Sequence, residues 1–143
     1  MREIYYLSVE DIREAHLLGW ETYGGKTYGM DEDCVEKRTV EPQTHYWGEE
    51  QYPGLFKKAA VYMLRITISH CFADGNKRAA FLSTDLFLKI NGYEFKVDQN
   101  ELYDFCLMIA NHETRPNLEE IEAWIEHHTK PYILDIEKLS DLT

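Results

Sequence analysis

Apolar residues recur at helical spacing along most of this chain. Ser8 with Asp11 has the pattern of a capping box, and Ile12, Ala15, Leu18 and Trp20 follow at roughly helical intervals. A short helix is predicted over 31–38. An apolar run at 61–68 and an amphipathic run at 79–90 predict helices over 55–70 and 77–90, the latter closed by Asn91-Gly92. Asp98 with Glu101 and Asn117 with Glu120 are N-terminal cap patterns for helices over 99–112 and 118–128. Between these elements, 23–30 reads as a loop. Residues 39–54 hold Pro42, Gly48, Pro53 and Gly54 among Tyr46, Trp47 and Tyr52, and read as an exposed loop or short hairpin. The predicted fold is all-α and compact: a single domain over 1–130, with 131–143 a C-terminal tail or short extra helix.

Composition narrows the classes. No apolar stretch approaches the roughly 20 residues of a membrane span, and the start of the chain shows no signal-peptide core. Three cysteines without a C-x-x-C pair point to a reducing compartment, with cytoplasm the expected location, rather than to a disulfide framework or structural zinc. The 143 residues carry 15 Lys+Arg against 26 Asp+Glu, a net charge of -11. Such an acidic body argues against nucleic-acid binding, whose affinity rests on many phosphate contacts. Residues 57–78 are the exception: Lys57, Lys58, Arg65, Lys77 and Arg78 face only Asp74. Lys57 and Lys58 read as a solvated helix face. Lys77 and Arg78 sit at a helix start, where the dipole already presents positive charge, and suit a small polyanion.

These two cations end the segment His70-Cys71-Phe72-Ala73-Asp74-Gly75-Asn76-Lys77-Arg78, which joins two predicted helices. Unpaired N–H groups at a helix start bind anions. A nucleotide resting its phosphates on the N–H groups of 75–78 would bring Asp74 to a Mg²⁺ ion, a hard cation suited to carboxylate and phosphate oxygens. Arg78 could fork onto a phosphate and Lys77 add a compact charge. His70 would be near enough to take a proton from an incoming hydroxyl. Capping of the two helices explains His70 or Asp74 singly, but poorly explains the whole set.

The same residues resemble the signature of the Fic/Doc superfamily, and more closely its death-on-curing (Doc) branch. The likeness extends to Leu7-Ser8-Val9-Glu10-Asp11-Ile12, to Pro42-Gln43, to the segment from Tyr52-Pro53 through Lys58-Ala59-Ala60, and to Phe87-Leu88 with Asn91-Gly92-Tyr93. It implies a six- to seven-helix fold with a short hairpin-like flap before the motif helix. It implies His70 as base, Asp74 as metal residue, and Gly75, Asn76, Lys77 and Arg78 as the phosphate-binding set, with Phe72 packed beneath the loop. The flap, including Thr44, His45, Tyr46 and Trp47, would pair with an extended target segment. Typical Fic enzymes transfer AMP from ATP and carry Gly and a second Arg where this chain has Lys77 and Phe81. Both departures match Doc. The resemblance therefore implies ATP bound in the reversed sense and transfer of its terminal phosphate to a hydroxyl of elongation factor Tu, arresting translation. It also implies an antitoxin partner. AMP transfer and a non-catalytic partner-binding module are the alternatives.

Three further patterns carry less. Gly25-Lys26-Thr27 lacks the leading Gly and strand of a P-loop, since Trp20 stands at the first position. His112, His127 and His128 read as solvated. Cys71, where the family commonly has Pro, reads as a small buried side chain.

Overall fold

The computed structural model describes residues 3–24 and 29–133. Among these, six α-helices follow in order: α1 (Val9–Tyr23), α2 (Glu32–Val40), α3 (Leu55–Ile68), α4 (Asn76–Ile90), α5 (Gln99–Ala110) and α6 (Leu118–His127). Two small antiparallel ribbons complete the fold, β1 (His45–Tyr46) with β2 (Glu49–Glu50) and β3 (Tyr93–Phe95) with β4 (Thr129–Pro131). No helix among the described residues is long and apolar enough to cross a membrane. Gly25, Lys26 and Thr27 lie outside the described residues, as does 134–143.

The helices begin where side chains can satisfy their first N–H groups. Ser8 Oγ accepts from Asp11 N at 3.1 Å while Asp11 accepts from Ser8 N at 2.8 Å, the reciprocal capping box. Asn117 and Glu120 repeat it at α6, and Asp31 and Asp98 cap α2 and α5. Helices α3 and α4 differ: their N-caps are Gly54 and Gly75, neither has a side-chain cap bond, and neither has an acidic residue in its first turn.

Helices α3 and α4 form the centre and share the largest interface, with α1 and α5 also against α4, and α6 against α3. Alanines are fully buried on both central helices (Ala59, Ala60, Ala79 and Ala80), which suits a close crossing. Around them Ile12, Met63, Ile66, Phe81, Phe87, Leu88, Ile109, Ile121 and Ile125 make one continuous core. Gly19 lets α1 run tight against the start of α4. A Cβ there would stand 3.1 Å from the Arg78 Cβ.

Three observations correct the sequence reading. The segment 129–131, expected to precede or open a tail, is a strand that pairs Phe95 with Thr129 and Tyr93 with Pro131. Strands of three residues are too short for alternation to register. Lys58 does not lie on a solvated face but is completely buried. Its ammonium donates to Glu50 Oε1 at 3.0 Å and to the Tyr52 carbonyl, so a helix cation anchors the flap from inside. Lastly, Cys34 and Cys71 are joined in a disulfide, with Cα atoms 5.3 Å apart. Cys106 is the free, buried cysteine.

Candidate active site

Helix α3 ends at Ile68, and the seven residues before α4 form a tight loop. His70 is exposed and has φ of +53°, in the left-handed region. Such a conformation costs about 1–3 kcal/mol and persists where surrounding contacts enforce it. Those contacts come from α2 and the chain before it. Asp31 N donates to the Cys71 carbonyl at 2.8 Å, Ala73 N to the Gly29 carbonyl at 2.9 Å, and Met30 and Phe72 form an antiparallel bridge. On the other side of His70, the Arg38 guanidinium donates to Ser69 Oγ. Arg38 also pairs with Glu41, which holds Arg65 at 2.7 Å. The root of the flap is thus wired to the residue preceding His70.

Beneath the loop lies His16, a residue that the sequence reading passed over. It is 1% exposed, stacks on Phe72 with ring centroids 3.8 Å apart, and its Nε2 lies 2.8 Å from the Asp74 carbonyl. A carbonyl only accepts, so Nε2 carries the proton. Gly75 has φ of +81°, a conformation that strains residues with a Cβ, and a Cβ there would crowd His16 Nε2 at 3.3 Å; both favour glycine. Burial holds His16 below its ordinary value of 6.5, partly opposed by the hydrogen bond to the Asp74 carbonyl and by the Asp74 carboxylate. The unfolded chain therefore binds the proton more readily. Stability from this group is complete above about pH 6.5 and is lost as pH falls toward the folded-state value, at no more than about 1.4 kcal/mol per pH unit. Denaturant unfolding at pH 7.5 and 5.5 checks this. His16→Gln, which keeps an N–H donor but does not titrate, flattens the difference.

The motif residues take distinct places. Phe72 is buried in the floor. Asn76 turns its side chain back, accepting from Phe72 N at 3.1 Å and donating to the Phe72 carbonyl at 2.9 Å, so its amide braces the loop and its backbone N–H stays at the helix start. Asp74 Oδ1 accepts from Gly75 N at 2.8 Å. Lys77 lies in the first turn of α4, and the Arg78 guanidinium lies over the Tyr103 ring, 4.5 Å from its centroid. The other cations of 57–78 are engaged elsewhere: Lys57 with Glu119 and Glu122, Lys58 with Glu50, Arg65 with Glu41. Lys77 and Arg78 thus stand side by side at a helix start that has no side-chain cap and no acidic residue in its first turn. No group of three or more His, Cys, Asp or Glu that could hold a metal exists among the described residues. The single carboxylate of Asp74 beside a helix start without a side-chain cap fits a Mg²⁺ whose remaining ligands come from phosphate oxygens and water, not a dedicated protein cage.

The flap is a hairpin whose two-residue turn, Trp47-Gly48, has φ of +53° and +80°. Mirror-image turns of this kind match the twist of the flanking strands. Trp47 is fully exposed and Tyr46 61% exposed. Thr44 Oγ1 donates to the Glu41 carbonyl at 2.7 Å, its own carbonyl accepts from Gln51 N at 2.9 Å, and His45 Nδ1 lies 2.8 Å from the Gln43 carbonyl. Local bonds thus shape the hairpin while its tip presents two aromatic rings. His112 and His127 are exposed, and His128 is occupied by the Trp124 carbonyl and ring.

Comparison with known proteins agrees with this geometry. The model of the Fic/DOC family matches residues 6–88. The chain is 33% identical over 93 residues to Toxin Doc of Mycolicibacterium smegmatis, spanning 65% of this chain and 69% of that protein. It is 31% identical over 110 residues to the protein kinase doc of Escherichia phage P1, spanning 76% of this chain and 84% of that protein. With a helix–loop–helix motif of this composition and a family match over more than half its length, the chain belongs to the Fic/Doc family.

Proposed function

We propose that this chain is a Doc-type toxin that transfers the terminal phosphate of ATP to a serine or threonine hydroxyl of a protein, with elongation factor Tu as the target. The observation that carries this reading is the start of α4. It offers uncapped N–H groups, Lys77 and Arg78 to a polyphosphate. Where typical Fic enzymes carry a second arginine, Phe81 is instead 1% exposed in the core. No guanidinium can act from that position, so the grip on a triphosphate differs from that of an AMP transferase. The kinase named among the relatives supports the same choice.

In this mechanism His70 takes the proton of the target hydroxyl as its oxygen bonds to the γ-phosphorus and the bond to the ADP leaving group breaks. Lys77, Arg78 and the N–H groups of the first turn of α4 hold the phosphates and offset developing charge. Asp74 would hold Mg²⁺, which supplies charge neutralisation on the phosphates when bound. His16, Phe72 and Asn76 keep the loop in register beneath. The flap, with Tyr46 and Trp47 at its tip, adds an extended target segment as a further strand. A cognate antitoxin restrains the activity.

The test is cell extract with Mg²⁺ and ATP labelled at either the α or the γ phosphate, using the native chain and His70→Ala. The expected result is His70-dependent γ label on a protein the size of elongation factor Tu. His70-dependent α label replaces this reading with nucleotidyl transfer. No label of either kind, with Mg-ATP binding absent by calorimetry, replaces it with a partner-binding module.

A further inference from the structure

We infer that Cys34 and Cys71 form a reversible redox site that fixes the backbone beside His70, so that the thiol–disulfide state of this pair sets how well the loop is held. Its consequence for catalysis rests on the phosphotransfer reading above; its consequence for the loop does not.

Cys71 directly follows His70 in sequence, and Cys34 lies in the first turn of α2, the helix that grips both flanks of the histidine. On the Cys71 flank the disulfide joins two backbone hydrogen bonds, Asp31 to Cys71 and Ala73 to Gly29. On the Ser69 flank the hold is the Arg38 side chain. The covalent bond is therefore the stiffest of the contacts that keep His70 at a positive φ. A second state is also available. Cys34 Sγ lies 3.8 Å from the Ser69 carbonyl, so a reduced thiol has an acceptor on the opposite flank without any rearrangement of α2. Reduction exchanges a bond to residue 71 for a weak hydrogen bond to residue 69, and the loop stays folded but looser.

The chemistry balances with a low-molecular-weight disulfide such as oxidised glutathione as the oxidant. Cys34, the more accessible partner, attacks as thiolate and forms a mixed disulfide, releasing one glutathione thiolate. Cys71, 2% exposed, then attacks the Cys34 sulfur and releases the second. Two protons and two electrons leave the protein, and reduction by two glutathione thiols reverses both steps. Cys106 takes no part, because burial pushes its thiol up to about 12.

The experiment equilibrates the full chain, and Cys34→Ser and Cys71→Ser, in glutathione buffers from reducing to oxidising. Each sample is alkylated and weighed intact, its 69–75 backbone followed by hydrogen exchange, and γ-phosphate transfer measured. Expected for the native chain is a gain of two alkylatable thiols on reduction, faster exchange at 71–73, and phosphotransfer lower by about tenfold, since misplacing a catalytic group by an ångström costs up to about 10²-fold. Neither variant forms the internal bond, and both keep the exchange and phosphotransfer of the reduced native chain in every buffer, with at most one glutathione added at the remaining cysteine. The inference is overturned if the folded native chain never forms the bond, or if the bond forms while exchange at 71–73 and phosphotransfer are the same in both states. Absence of phosphotransfer throughout, with the exchange difference present, rejects the phosphotransfer reading and retains the tether.

Discussion

His70→Ala is expected to lower turnover by about 10²–10⁴-fold, or ~3–5 kcal/mol of transition-state stabilisation, with little change in Mg-ATP affinity. Both parts follow from where the residue sits. The groups proposed to hold the phosphates belong to the start of α4, whereas His70 lies on the far side of a loop braced by His16 and Asn76. Removing an exposed imidazole therefore leaves the start of α4 in place. Backbone strain is the confounding effect, because an alanine at φ of +53° pays the same steric cost without the side chain's chemistry. His70→Asn separates the two: asparagine tolerates the left-handed region but cannot serve as a base near neutral pH. Both variants should show equal loss of turnover and near-native ATP binding by calorimetry. Turnover retained in His70→Asn would place the base elsewhere and leave His70 a conformational role.

The helices were legible because their signals are local. Ser8, Asp98 and Asn117 are followed three residues later by an acidic partner, and each caps a helix in the structure. The motif loop was legible for the same reason, being nine consecutive residues. What stayed hidden depends on partners distant in sequence. His16 follows Ile12 by four positions and so lies on the apolar face of α1, a signal available in the pattern, but nothing local shows that Phe72 and Asp74 complete its surroundings. Lys58 is three and four positions before the buried Val61 and Tyr62, so periodicity placed it inward while its charge argued for solvent. The flap's Glu50 and Tyr52 decide that conflict, since they satisfy the ammonium within the fold. Cys34 and Cys71 are 37 positions apart, and the odd cysteine count without a C-x-x-C pair pointed away from the bond that joins them.

That separation also sets the size of the expected stability effect. Reducing the Cys34–Cys71 bond is expected to lower folding stability by about 4 kcal/mol, from the loop-closure entropy that a cross-link of this length removes from the unfolded chain. For a domain of this size the loss corresponds to a fall in melting temperature of about 10 °C. The enclosed loop contains the rest of α2, the whole flap and α3, so in the unfolded state the bond holds together the segments that must reassemble around Lys58 and Arg38. Native contacts between α2 and the motif remain after reduction, because Asp31, Arg38 and Met30 still hold 69–72 without the sulfur atoms. The reduced protein should therefore fold, at lower stability, and unfold cooperatively. Thermal unfolding with and without a phosphine reductant measures the difference. Cys34→Ala should match the reduced native chain in both conditions, since it removes the cross-link at a half-buried position. A native chain that melts at the same temperature in both conditions would mean that the bond is absent in solution or that the reduced, unfolded chain is already as compact as the cross-linked one. Thiol counting under denaturing conditions tells these apart, since only the first leaves Cys34 and Cys71 open to alkylation before reduction.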